Sequence, residues 1–308
     1  MKALITGVNG FVGNYLSKYL IEQGYTVYGT VIEDNVAMEN VVIEKMNLLN
    51  KDEVMRTIKS INPDEIYHLA GQSAVGLSWK EPTLTMNVNI NGTINLLDGV
   101  RDNDINAKML IIGSSDEYGA IKPEECPISE NHLLNPTSPY AISKMAQEEI
   151  AKLYVNSYRM NLIMVRAFNH IGPKQSKNFV VSDFASKIAE IEKGAEPIIR
   201  VGNLEAYRDF TDVRDIVRGY FMLMNNGKIG ELYNIGSGNA YKIQDILDTL
   251  LSLSSTKITV EIDPDKLRPS DVPIIQCDNS KIKTHINWSP IYDIKDTLKD
   301  TLDYWRNM

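Results

Sequence analysis

The chain has 308 residues, 43% hydrophobic and 23% charged, the composition of a globular protein large enough for one sizeable domain or two intimate ones. With 32 basic and 40 acidic side chains its net charge is −8, which argues against a nucleic-acid surface and requires an anionic ligand to be held by individually placed cations. Cys126 and Cys277 stand far apart without metal-ligand spacing, so neither a disulfide framework nor a metal site is expected; a strand begins at once, no apolar run approaches the roughly 18 residues of a membrane span, and a cytoplasmic location with no membrane contact is expected.

From the amino terminus, short apolar strands alternate with amphipathic helices: Ala3 to Thr6, then Tyr15 to Gln23; Thr26 to Val31; Asp52 to Ser60; Glu65 to Ala70; Val88 to Arg101; Met109 to Gly113. This is the cadence of parallel βαβ units and predicts an α/β, Rossmann-type doubly wound parallel sheet. A polar loop from Pro123 to Pro139 leads into a helix carrying Tyr140 and Lys144, then a strand from Leu162 to Ala167. Beyond Asn169 the rhythm loosens into helices near Phe179 to Lys193 and Ile243 to Leu253 and extended pieces near Pro197 to Val201 and Lys257 to Ile262. The expected organisation is a dinucleotide-binding domain over 1–170, with 209–236 returning to it, and a smaller, interleaved C-terminal α/β substrate domain over 171–208 and 237–308.

The segment TGVNGFVG at residues 6 to 13 places Gly7, Gly10 and Gly13, with Phe11 and Val12 between them, where a strand turns into a helix. Glycine there lets a pyrophosphate approach the free N–H groups of the helix start, so NAD or NADP is the expected cofactor. Glu33 and Asp34, near the end of the second strand, lean towards a ribose 2′-hydroxyl but leave the choice of coenzyme open.

Tyr140 and Lys144 form a Y-x-x-x-K pair on one helix face, so the ammonium is expected to sit beside the phenol and lower its pKa. Ser114, at a strand end in SSDEYG, can hydrogen-bond the oxygen that Tyr140 protonates. Together they suggest hydride chemistry on a carbonyl. His68 is read as a hydrogen-bonded structural group and Trp79 as a core residue.

These features, with HLAGQSAVGLSWKEP at 68 to 82, VNINGTINLL at 88 to 97, SPYAISK at 138 to 144, FNHIGP at 168 to 173, GNLEAYRDFTDVRDIV at 202 to 217 and RPSDVP at 268 to 273, resemble the extended short-chain dehydrogenase/reductase family from Lys2 to about Trp288. The resemblance implies that Asn47 and Leu48 contact adenine and that Leu69, Ala70 and Gly71 line the cofactor. It implies catalytic roles for Ser114, Tyr140 and Lys144, and substrate contacts from Ser114, Ser115, Asn169, Arg208, Arg268 and Asp271, the arginines suiting a nucleotide diphosphate. His170 fits the cofactor-side turn, and a homodimer is implied through helices 88 to 101 and 141 to 157.

Within that family, QSAVGLSW, FNHIGPKQS and GNLEAYRDF are similar to enzymes of GDP-mannose conversion. A 4,6-dehydratase of this kind carries threonine and glutamate where this chain has Ser114 and Asp116, with Glu117 displaced by one position and expected, on an extended strand, to face away. The expected activity is therefore reduction of a GDP-linked 4-keto-6-deoxyhexose to GDP-6-deoxy-D-mannose, with the 4,6-dehydratase, a nucleotide-sugar 4-epimerase and a non-enzymatic NAD(P) sensor as alternatives.

Overall fold

The computed structural model describes residues 1–266 and 272–308. Its strands are β1 (Lys2–Thr6), β2 (Thr26–Val31), β3 (Val41–Lys45), β4 (Glu65–His68), β5 (Lys108–Ser114), β6 (Asn161–Ala167), β7 (Asn169–Ile171), β8 (Ile198–Val201), β9 (Tyr207–Asp212), β10 (Leu232–Ile235), β11 (Ala240–Lys242), β12 (Thr259–Ile262) and β13 (Ile274–Ile275). The helices are α1 (Phe11–Glu22), α2 (Lys51–Ile61), α3 (Val75–Lys80), α4 (Pro82–Met86), α5 (Gly92–Asp102), α6 (Pro139–Tyr158), α7 (Val180–Glu192), α8 (Val213–Asn226), α9 (Ile243–Ser252), α10 (Ser280–Ile286) and α11 (Ile294–Arg306), with one π turn, Asn87–Asn91, between α4 and α5. Among the described residues no helix is long and apolar enough to cross a membrane.

The main sheet is parallel in the order β10-β6-β5-β4-β1-β2-β3, the doubly wound arrangement expected. Its strands are apolar on both sides because helices cover both faces. In β1, Ala3 and Ile5 enter a core shared with α1 and α8, while Leu4 enters the core built by α2, α5 and α6. Full burial of Leu4 or Ile5 contributes roughly 1.5–3 kcal/mol each.

A second core joins α7, α9 and α11 with β8 and β9. There β9 pairs with β7, β11 and β13, and β8 with β12. Two segments depart from the expected division. Phe210 packs in the second core, whereas Ile282, Ile286 and Trp288 belong to the core of the main sheet. Trp288 explains the latter, since its indole N–H donates to the Asp215 carbonyl of α8 at 3.1 Å and anchors that stretch under the first lobe. The edge strand β3 and helices α10 and α11 lay outside the sequence reading.

His68, at the end of β4, is buried between two hydroxyls, Thr6 Oγ1 on Nδ1 and Thr93 Oγ1 on Nε2, both at 2.9 Å. Thr93 already donates to the Asn89 carbonyl, so Nε2 is the ring donor and the imidazole is neutral. Burial, followed by the Lys144 charge, lowers its pKa to about 3. A base with a depressed folded pKa binds its proton more readily when unfolded, so the stability it contributes is complete above about 6.5 and is lost as pH falls towards 3. Urea unfolding at about pH 4.5 is expected to show about 2.5 kcal/mol less stability from this group than at neutral pH. A His68→Asn variant with an unchanged acid dependence would refute the assignment.

Candidate active site

The glycine turn is built by backbone geometry. Gly7 has φ +69°, and its N–H and that of Val8 donate to the Thr30 carbonyl of β2 at 3.0 and 3.2 Å, which ties the turn to the C-terminal edge of the sheet. A side chain at Gly13 would place its Cβ 2.5 Å from the Val8 carbonyl oxygen, so glycine is required for α1 to start against the turn. That helix begins at Phe11, earlier than the periodicity indicated, with Gly10 as its cap, no side-chain cap and no acid in its first turn. Its leading N–H groups and positive dipole end therefore suit a pyrophosphate. The next strand end closes on the same spot, because a Cβ on Gly7 would meet Ala70 Cα at 3.0 Å. Leu69, Ala70 and Gly71 thus adjoin the turn; Leu48 lies buried beside Gly92, and Asn47 stays exposed at the end of β3. Phe11 stacks on His170 at 6.0 Å, which explains the FNH turn's place next to α1. Glu33 accepts from Asn9 within the turn at 3.1 Å, while Asp34 pairs with Lys45 at 2.8 Å.

Helix α6 starts on Ser138, whose hydroxyl accepts the Ala141 N–H at 3.1 Å, followed by Pro139 at the first helical position. This start sets Tyr140 near the helix end and Lys144 one turn later, both buried. The Lys144 ammonium donates to the Ile112 carbonyl of β5 at 2.7 Å and to Gln147 Oε1 at 2.9 Å. Burial lowers its pKa to about 8, against a raising effect of the Glu117 carboxylate.

The phenol departs from the expectation that Lys144 brings its pKa down. Burial, then the Asp116 carboxylate, push Tyr140 well above its ordinary value; the Ser114 hydroxyl, hydrogen-bonded to it, opposes them, and Glu117 adds to the rise. The physical reason is twofold. Both groups lie in a site that penalises charge, and the ammonium is engaged by Ile112 and Gln147.

After Ser114 the backbone forms a 3₁₀ turn, Ser115–Tyr118, instead of the extended run assumed from sequence. The direction of Glu117 is set by its own hydrogen bond and not by strand alternation. Its Oε1 turns back to accept the Ser114 N–H at 2.7 Å, closing a capping box, and the side chain is fully buried. Asp116 stays half-buried and acts electrostatically on Tyr140.

On the substrate side, Ser114 pairs in register with Ala167, two residues before Asn169, and Asn169 pairs with Phe210, two residues after Arg208. Parallel pairing thus runs from the Ser114 strand end to the arginine. Arg208 donates to the Tyr207 and Val272 carbonyls, each at 2.8 Å. Ser115 is buried beside Ser114; Arg268 and Asp271 lie outside the described residues. Trp79, expected in the core, is 64% exposed on α3.

Two features escaped the sequence reading. Asn89, held by the π turn, accepts the Gln72 N–H at 2.8 Å, donates back to the Gln72 carbonyl at 3.0 Å and donates to Ser143 Oγ at 2.9 Å, locking the 69–72 turn to α6. A π turn aims a side chain that regular helix would point elsewhere, and nothing in VNINGTINLL announces it. Arg166, inside the apolar run of β6, forks Glu148 of α6 at 2.8 and 2.6 Å. Its signal was present, since a cation in a buried strand requires a partner.

A family profile described as GDP-mannose 4,6 dehydratase matches residues 4–301. GDP-6-deoxy-D-mannose reductase of Pseudomonas aeruginosa is 29% identical over 307 residues, covering 99% of this chain and 97% of that protein. GDP-mannose 4,6 dehydratase 2 of Arabidopsis thaliana is 30% identical over 323 residues, covering 98% and 86%. The structure of RMD from Pseudomonas aeruginosa complexed with NADPH superposes with a TM-score of 0.88 at 28% identity, covering 99% of each chain. With its doubly wound sheet and glycine turn, the chain belongs to the GDP-mannose 4,6-dehydratase family of extended short-chain dehydrogenase/reductases.

Proposed function

We propose that the chain is an NAD(P)H-dependent reductase that converts GDP-4-keto-6-deoxy-D-mannose to GDP-6-deoxy-D-mannose. The observation that carries this reading is the carboxylate arrangement around Ser114. A dehydratase must also remove a C5 proton and expel the C6 hydroxyl, which needs a second acid/base of matched reach. Glu117 is withdrawn under Ser114, and the half-buried Asp116 is shorter by one methylene than the glutamate of the dehydratase pattern. The full-length similarity to the Pseudomonas aeruginosa reductase supports the same reading.

The residues present fit a dinucleotide: a pyrophosphate would rest on the turn at Gly7, Gly10, Phe11, Val12 and Gly13, with adenosine near Asn47 and Leu48 and the remainder along Leu69 to Gly71. When bound, the reduced nicotinamide supplies a hydride to the sugar carbonyl carbon. Tyr140, held protonated by burial and by Asp116, gives its proton to the carbonyl oxygen. Ser114 donates a hydrogen bond to that oxygen, and the Lys144 ammonium offsets the negative charge left on the phenol. A phenol that rests protonated suits donation to a carbonyl oxygen. Arg208 and Asn169 would take the nucleotide diphosphate, a role supported by the pairing of β7 with β9 that brings their strands side by side, with Arg268 and Asp271 as further candidates by resemblance.

The same reading includes a homodimer. Of the two helices expected to pair, 141 to 157 has an apolar outer face at Ile142 and Leu153, 42% and 61% exposed, whereas Leu96, Leu97 and Val100 of 88 to 101 are buried in the core; Leu84 of α4, 44% exposed, is a further exposed apolar residue. Sedimentation equilibrium is expected to give twice the chain mass, and Leu153→Glu to shift it towards monomer; a wild-type monomer at micromolar concentration would contradict this.

Incubation with GDP-4-keto-6-deoxymannose is expected to consume NADH or NADPH stoichiometrically. Deoxysugar formed from GDP-mannose without net consumption would defeat the reductase reading. Tyr140→Phe should lower kcat by about 10²–10⁴-fold with dinucleotide affinity nearly unchanged, and undiminished turnover would remove Tyr140 from the mechanism. Because Lys144 loses its proton near pH 8, log kcat/KM is expected to fall with unit slope above about 8. A profile flat to pH 10 would contradict a role for the ammonium.

A further inference from the structure

A buried ammonium has three protons to place, and two of those on Lys144 meet acceptors among the described residues. The Ile112 carbonyl of β5 takes one at 2.7 Å, and the amide Oε1 of Gln147, three residues further along α6, takes the other at 2.9 Å. The remaining side of the ammonium borders the cofactor turn, since a Cβ built on Gly71 would lie 3.8 Å from Nζ. Residue 71 is an exposed glycine, so that side stays open to a ligand resting along Leu69 to Gly71.

Glutamine is a costly choice at this buried position. Its Nε2 has no hydrogen-bond partner among the described residues, and methionine, which matches its length, would fill the space with no donor to satisfy. What glutamine adds is an oxygen. The titratable groups that face the ammonium do not replace it: His68 of β4 is neutral, Tyr140 is a protonated phenol, and Glu148 is forked by Arg166. Burial lifts the Glu117 carboxyl to about 8, so it is mostly uncharged at neutral pH. The ammonium therefore relies on the dipoles of the two oxygens it touches.

We propose that Gln147 is a positioning residue: its amide oxygen and the Ile112 carbonyl take two of the three Lys144 ammonium protons and leave the third for the dinucleotide at the Gly71 turn.

An ammonium anchored at two corners cannot rotate about its Cε–Nζ bond, so its third N–H keeps one direction. Gln147 acts through Lys144 and not on the reacting atoms. The inference deepens the proposed mechanism and rests on the reading of Lys144 as a working part of it.

The full chain without sugar tests it independently of turnover, so failure here is distinguishable from failure of the reductase reading. Nuclear magnetic resonance with ¹³C-labelled lysine follows the Lys144 titration, with Lys144→Met identifying the signal, and coenzyme fluorescence gives the affinities for NADH and NADPH. Gln147→Met keeps the volume and removes the oxygen. The Lys144 midpoint is expected to fall by about one pH unit, and the affinity for both coenzymes by about tenfold. Gln147→Glu, which keeps an oxygen at the same reach, should hold the midpoint at or above that of the wild type. A packing role alone predicts that Gln147→Met leaves midpoint and affinities unchanged, and that result would overturn the proposal. Should Gln147→Met not fold, a crystal of the wild type with NAD or NADP decides: Nζ still within about 3.2 Å of Gln147 Oε1, with its remaining N–H on the dinucleotide, supports the proposal, and an ammonium swung away from Gln147 overturns it.

Discussion

The site depends on how α6 is fixed to the strand ends beneath it. Two buried polar contacts do this: the Lys144 ammonium on the Ile112 carbonyl of β5, and the fork between Arg166 of β6 and Glu148 of α6. Breaking a buried pair by deleting one partner costs roughly 3–5 kcal/mol, because the other charge is left unpaired. Apolar packing alone would let the helix slide by fractions of a turn. Buried charges that must reach particular partners on β5 and β6 fix its register, and with it the place of Tyr140 beside Ser114. The Asn89 clamp between the 69–72 turn and Ser143 holds the cofactor side of the same helix.

The electrostatics of this arrangement follow from its dryness. Tyr140 and Lys144 both favour their neutral forms when buried, so the pair does not behave as a phenolate beside an ammonium. A protonated phenol is what a carbonyl reduction needs at its start. The ammonium matters once the proton has left, when negative charge appears on the phenol. Asp116, half-buried near the phenol, biases the resting state in the same direction.

Much of this was legible in the sequence because it rests on local rules. Gly7 and Gly13 announced the turn through spacing alone, and the strand-helix cadence announced the parallel sheet, since each βαβ unit buries a recognisable apolar run. The edge strand β3 was missed because its residues are half-exposed and carry Glu44 and Lys45, so no buried strand pattern appears. Glu117 shows the limit of periodicity. Alternation along an extended strand led to the expectation that it would face the opposite way from Asp116, but its direction is set by a 3₁₀ turn that gives the carboxyl an N–H three residues back. Trp79 was misplaced because hydropathy favours burial of a ring, while a short helix on the outside of the lobe leaves it in solvent. Long-range polar pairs such as Arg166 with Glu148 cannot be read from spacing, since the partners are brought together only by the sheet order.

The most direct test of the account is a crystal structure with NADP and the GDP-linked sugar bound. It should place Tyr140 Oη and Ser114 Oγ each within about 3 Å of the sugar C4 oxygen, with Lys144 still on the Ile112 carbonyl. A complex in which the C4 oxygen lies more than about 5 Å from the phenol, with the dinucleotide in the crevice, would contradict it.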